Sequence, residues 1–269
     1  MTLSLSEIST VGASFADDVR AYGAAGFDGV GIWEMKLAAD ESDVETLRAS
    51  GLQATNCVPV VPSVLPNRVI DGPDDVGVRV DALCASMHRL ARYRPESVLC
   101  LTGPAGDRRE DEARQLVIDG LRRVAAAADT AGVRLGLEPI HESQRDDLTL
   151  VTTIPDAVAL LDAAGLPDVG IMVDLWHLGD TPDVERHLAE NVRRITGVHV
   201  AERFPGDRGD RALPGDRCAE LVRVLRDAGW RGSWDVEIFG DAEQPDSLWS
   251  LDVDDAARRA HAALVAALG

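Results

Sequence analysis

The chain has 269 residues, 45% of them apolar, and a formal net charge of −19. That length suits one large domain or two small ones, and the apolar content suits a full core. A field of that sign, with no local run of Lys or Arg to oppose it, argues against a nucleic-acid backbone as partner.

In chain order, a first short strand "LSLS" (3–6) leads to a helical stretch near 14–25, "GVGIW" (29–33) to one near 41–50, "LQATNCV" (52–58) to 74–93, and "SVLCL" (97–101) to 108–131. The second half repeats the order: "VRLGLE" (133–138) precedes 154–164, "VGIMVD" (169–174) precedes 183–192, "ITGVHV" (195–200) precedes 217–229, and "SWDVEIF" (233–239) precedes 252–267. The helices rest on apolar spacing. Leu116, Val117, Leu121, Val124 and Ala125 share one face of the fourth, and Leu221, Val224 and Leu225 share one face of the seventh. Gly132 and Gly229 stop these two helices. The connectors "AAGFDGV", "ASGLQAT", "TAGVRLG", "AAGLPDV" and "DAGWRGS" repeat one phrase: small residue, Gly, apolar residue, next strand.

Eight strands alternating with eight helices predict a single α/β domain over 1–269, a closed (β/α)8 TIM barrel. An open doubly wound sheet would carry a G-x-G-x-x-G turn after an early strand, and none is present. "MTLSLSEIST" has neither a basic start nor a long apolar run, and no segment reaches the ~18 consecutive apolar residues of a membrane span. A soluble cytoplasmic protein with no membrane partner is therefore expected. Cys57, Cys84, Cys100 and Cys218 form no C-x-x-C pair and read as free, mostly buried thiols.

In a barrel of this kind the chemistry sits at the C-terminal ends of the strands. The fifth strand closes on Glu138, the sixth on Asp174, the seventh carries His199 and the eighth carries Glu237. Taken singly, an acid after a strand is often a cap, and a histidine between valines is often a core residue. Glu138 and Glu237 resist that reading, because an unpaired carboxylate inside "LGLEPI" or "DVEIF" is costly. Four neighbouring strands each delivering one such group predict one divalent metal. Three carboxylates and an imidazole make a hard donor set that suits Mn²⁺ first, with Mg²⁺, Co²⁺ or Zn²⁺ also possible. Lys36, the one lysine, stands after the second strand and not inside a strand end, which disfavours a Schiff-base aldolase.

The phrases "LEPIH", "VDLWH", "VHVAE" and "RALPGD", followed by "WDVEIF", resemble the sugar phosphate isomerase/epimerase family of xylose isomerase-like barrels. That family includes ketose 3-epimerases, hydroxypyruvate isomerases and inosose dehydratases. The resemblance runs from "AAGFDGVGIW" to "DVEIFGDAEQPDSLW", nearly the whole chain. It implies that Glu138, Asp174, His199 and Glu237 hold the metal, and that Glu138 and Glu237 are also the acid/base pair. It implies a substrate contact for His177, and it matches Arg211 to the family arginine that reaches substrate. "PGDR" replaces the common "PGxG" here and the arginine lies farther from His199, so Arg208 is a rival. His141, Glu34 and Trp33 are further substrate-binding candidates, and Trp176 and Phe239 are candidate pocket walls.

The implied activity is isomerisation or epimerisation of a small polyhydroxy carbonyl compound, through an enediolate held on the metal. A lyase that dehydrates a cyclic polyol ketone is the alternative. The DNA-repair endonuclease branch of these barrels uses three metals and more histidines than the six present, and the net charge of −19 opposes it. A non-catalytic binding barrel would not be expected to keep a complete ligand set. The sequence leaves oligomeric state open, a homo-oligomer included.

Overall fold

The computed structural model describes residues 1–40, 42–203 and 211–269. Eight parallel strands close into a barrel in sequence order. They are β1 (Thr2–Ser6), β2 (Gly29–Trp33), β3 (Gln53–Val58), β4 (Ser97–Cys100), β5 (Leu135–Leu137), β6 (Gly170–Asp174), β7 (Ile195–Val200) and β8 (Ser233–Val236). The first five helices are α1 (Phe15–Ala25), α2 (Ser42–Ser50), α3 (Val76–Leu90), α4 (Glu110–Ala131) and α5 (Arg145–Leu148). The others are α6 (Ile154–Ala164), α7 (Leu175–Leu178), α8 (Val184–Asn191), α9 (Asp216–Ala228) and α10 (Val253–Leu268). The expected alternation is present. The four-residue helices α5 and α7 are additions that no long apolar period announces.

Local signals explain where the helices begin and end. Side chains of Ser14, Asp75 and Thr153 accept the backbone N–H groups of Asp17, Val78 and Asp156 at the starts of α1, α3 and α6. Each repeated connector glycine is left-handed: Gly26, Gly51, Gly132, Gly165 and Gly229 have φ between 68° and 106°. After four of them the next apolar residue donates its N–H back to the helix: Phe27 to Tyr22, Val133 to Ala128, Leu166 to Leu161 and Trp230 to Leu225, at 2.9–3.0 Å. This is a Schellman stop. Gly165→Ala tests it cleanly, because a Cβ there would meet no atom within 4 Å. The expected loss is the left-handed backbone penalty alone, about 1 kcal/mol, read as a lowered urea midpoint. An unchanged midpoint would refute it.

The main core lies between the strands and the outer helices. On α4 the buried face is Ala113, Val117, Leu121, Val124 and Ala128, whereas Leu116 is exposed and Ala125 only half-buried. The face is therefore rotated from the one the sequence predicts, with Gly120 packed so closely that a Cβ there would stand 2.6 Å from Val64 and 3.1 Å from Val80 on α3. A second cluster, including Ile8, Trp33, Leu99, Leu101, Ile140 and Met172, fills the barrel mouth at the C-terminal ends of the strands. Cys57, Cys100 and Cys218 are buried and Cys84 is half-buried, all free. Burial raises every one of these thiols, Cys100 to about 12, so they are packing groups and not nucleophiles. No helix among the described residues is long and apolar enough to cross a membrane.

Candidate active site

Strand register builds the site. Asp174 on β6 is the cross-strand partner of His199 on β7, and His199 is the partner of Asp235 on β8. These three share one layer of the barrel interior. Glu138 follows β5 directly, its N–H donating to Cys100 O at 3.0 Å, and Glu237 follows β8. Both acids thus stand one residue past their strands, at the barrel mouth. Ligand atoms of Glu138, Asp174 and His199 all lie within 4.8 Å of one another, and all three residues are buried. Glu237 Oε2 lies 3.4 Å from His199 Nδ1, and Glu138 Oε1 lies 3.9 Å from the same atom.

Asp174 serves two purposes. Its Oδ1 accepts the Trp176 N–H at 2.8 Å and caps α7, while Oδ2 faces the cluster. The cap fixes the carboxylate's direction and turns "LWH" into a helical turn that places His177 beside it. The Arg211 backbone N–H donates to Phe239 O at 3.1 Å, and the Glu202–Ala212 bridge holds the segment at the mouth. Its guanidinium lies 4.6 Å from the Phe239 ring centroid and 5.3 Å from that of Trp176. Nη1 donates to Glu237 Oε2 at 2.7 Å and to Asp174 Oδ2, and Nη2 lies 3.1 Å from His177 Nε2.

Burial pushes the carboxyls of Glu138, Asp174 and Glu237 above their ordinary values, and neighbouring acids push Glu138 and Asp174 further. Arg211 opposes the rise at all three. Burial pushes His199 down to about 4, and it pushes His177 well down with help from Arg211. Both rings are therefore neutral near neutral pH, the state in which an imidazole nitrogen can ligate a metal. The fit to a cation rests on His199. Both its ring nitrogens are buried and have no hydrogen-bond partner among the described residues. Nδ1 has carboxylate oxygens of Glu237 and Glu138 at 3.4 and 3.9 Å and makes a hydrogen bond to neither. Glu138, Asp174 and His199 together make an oxygen-rich set of the kind that fits a divalent ion.

Above the cluster lies a cavity of about 240 Å³. Trp33, Glu138, His177, Arg211 and Glu237 line it, as does Trp176, while Phe239 closes it edge-on to Trp33 at 5.5 Å. Two sequence candidates stand elsewhere. Glu34 is not in the cavity wall: its carboxylate accepts from Val60 N at 2.8 Å and Ser86 Oγ at 2.6 Å and pairs with Arg89 at 3.4 Å. It braces α3 and the segment after β3, because the short helical turn over Glu34–Lys36 directs it outward from the barrel axis. The His141 ring likewise turns away, to Ser143 Oγ at 2.7 Å and Asp180 Oδ1 at 3.2 Å, while its backbone N–H donates to His177 Nδ1 at 3.2 Å. Its contribution is to position His177. Arg208 lies outside the described residues. Asp235 was missed by sequence reasoning, although an acid two before Glu237 in an apolar run was a signal of the same kind.

A family model described as "Xylose isomerase-like TIM barrel" matches residues 19–264. The chain belongs to the xylose isomerase-like TIM barrel family. Within this family it is 27% identical to a 3-dehydroshikimate dehydratase of Pseudomonas putida over 90% of this chain and 38% of that protein. It is 28% identical to a D-psicose 3-epimerase of Enterocloster bolteae over 49% of this chain and 42% of that protein. The chain thus spans about two fifths of the length of these relatives. A xylose isomerase-like fold is seen again in a Sinorhizobium meliloti 1021 protein, SMc04130, with a TM-score of 0.85, 23% identity and coverage of 99% and 98% of the two chains. The IOLI protein with a binding zinc atom superposes with a TM-score of 0.80 at 18% identity, over 100% and 98% of the two chains. Named relatives in the family are enzymes: an epimerase, a dehydratase and a putative hydroxypyruvate isomerase.

Proposed function

We propose that this barrel is a divalent-metal-dependent isomerase or epimerase of a small hydroxy-ketone. The observation that carries this reading is the convergence of Glu138, Asp174 and His199 within 4.8 Å, with Glu237 3.4 Å from the same imidazole nitrogen. Glu138, Asp174, His199 and Glu237 would hold the ion, Mn²⁺ being the first choice for so oxygen-rich a set. When bound, it supplies a Lewis acid that polarises the substrate carbonyl and acidifies the adjacent C–H.

The chain's own residues do the rest. One of the two glutamates takes the proton from the carbon beside the carbonyl, and the C–H electron pair forms a C=C bond as the carbonyl π pair moves onto oxygen, giving an enediolate. The other returns a proton to the opposite face of that carbon or to its neighbour. Arg211, held against two aromatic rings, is the fixed positive charge beside the developing anion. His177 orients a substrate hydroxyl. Trp33, Trp176 and Phe239 exclude water from the site.

A lyase is the second reading, and the cavity lining favours it. Eleven of the sixteen lining residues are apolar. An open-chain polyol would bury hydroxyls against Leu99, Leu101 and Ile140 without partners, at roughly 1–3 kcal/mol each. A ring ketone with an apolar face avoids that cost. If a β-hydroxyl then leaves as water, taking its proton from the second glutamate, the same proton abstraction becomes a dehydration. The match to a dehydratase over 90% of the chain supports this branch.

One experiment tests both readings. The Mn²⁺-loaded protein is incubated in D₂O with open-chain ketoses and with ring hydroxy-ketones. Deuterium beside the carbonyl in recovered substrate or product is the expected result for the isomerase or epimerase reading, and loss of a water mass selects the lyase. Tight Mn²⁺ binding with no exchange and no elimination across the panel would rule out the proposed proton transfer.

A further inference from the structure

Asp235 lies in the same layer of the barrel interior as Asp174 and His199 and is fully buried. Its Oδ2 is 3.8 Å from His199 Nε2, and register makes the two residues cross-strand partners. Neither His199 Nε2 nor Asp235 Oδ1 has a hydrogen-bond partner among the described residues. The carboxylate sits in a cradle shaped for it. Thr55 Oγ1 donates to Oδ2 at 3.5 Å, Ser4 is its register partner on β1, and a Cβ at Gly31 would stand 2.3 Å from Oδ2. A buried acid is expensive, so this placement calls for a compensating task.

Imidazole chemistry supplies the task. His199 Nδ1 faces Glu138 and Glu237, the side from which a metal would be held. A neutral imidazole that ligates through Nδ1 must carry its proton on Nε2. That N–H is then a buried donor 3.8 Å from Asp235 Oδ2, so a small shift of the ring or the carboxylate brings the two into hydrogen-bond range. We infer that Asp235 is a positioning residue that keeps the His199 proton on Nε2 and aims Nδ1 at the metal. The inference rests on the proposed metal reading. An outer carboxylate of this kind fixes the tautomer and raises the basicity of the ligating nitrogen.

A purely structural role makes a different forecast. If Asp235 only braced Ser4 and Thr55, its loss would change stability and leave the His199 tautomer and metal affinity alone. The test therefore reads both. In ¹⁵N-labelled metal-free protein, His199 is expected as the Nε2–H tautomer. In Asp235→Ala the tautomers should mix, and Mn²⁺ affinity by calorimetry should fall about 10–100-fold. Asp235→Asn, whose carbonyl can still accept, should keep affinity closer to the wild type than the alanine variant does. Asp235→Val, without an acceptor and well suited to a strand, stands in if the alanine variant does not fold. Wild-type affinity and an unchanged tautomer in a folded Ala or Val variant would overturn the inference. A wild-type protein that binds no Mn²⁺ yet shows the Asp235-dependent tautomer would instead remove the metal reading and leave the positioning role standing.

Discussion

Glu237→Gln is expected to lower turnover on the order of 10²–10⁴-fold at saturating Mn²⁺, the range for removing a general acid or base. The substitution keeps size and a carbonyl oxygen, so the ligand position is weakened and not emptied. What disappears is a group that can accept and return a proton. The local electrostatics make the substitution tolerable. Burial already raises the Glu237 carboxyl, and Arg211, its partner at 2.7 Å, retains Asp174. The variant should therefore fold. Comparing exchange into substrate with net turnover would show which half-reaction Glu237 serves. If exchange survives and net conversion is lost, Glu237 is the residue that delivers the second proton. Full activity at saturating metal would remove Glu237 from the acid/base pair.

The second large effect concerns the ligand set. With Mn²⁺ at about 100 times its dissociation constant, the wild-type protein should gain about 2.7 kcal/mol. That corresponds to a rise in Tm on the order of 5–10 °C for a domain of this size class. His199→Ala should abolish most of this gain. His199 is the informative choice because its ring nitrogens make no hydrogen bonds among the described residues, so truncation breaks none of those. Losing the imidazole ligand should cost more than the 10–100-fold typical of an outer partner. A metal-induced rise of equal size in wild type and variant would show that Mn²⁺ binds elsewhere, and the site would need a different cation or none.

Much of the architecture was legible because its causes are local. The five connector phrases each place a glycine where the chain turns left-handed, and a strand follows every one. Those stops depend on a few adjacent residues, so the chain order of strands and helices could be read without a partner in view. The four polar groups at strands β5 to β8 were legible for a related reason. Acids and a histidine inside apolar runs are conspicuous wherever the run goes, because burial without compensation is unfavourable.

Other residues were settled only by tertiary structure. Glu34 follows a strand just as Glu138 does, yet a helical turn directs it to Ser86, Val60 and Arg89 on the outside of the barrel. His141 follows Glu138 by three as His177 follows Asp174, but only α7 turns its histidine into the cavity. Arg211 reaches the cluster through a backbone contact to Phe239 and the rings of Phe239 and Trp176, partners 28 and 35 residues away in the chain. Asp235 gains its meaning from register, which sets it against His199 on one side and Ser4 on the other. The sequence by itself determined which groups had to be buried and where the chain had to turn, since both follow from near neighbours and the cost of desolvation. Barrel closure decided which buried groups meet, because side-chain direction and strand register depend on residues far apart in the chain.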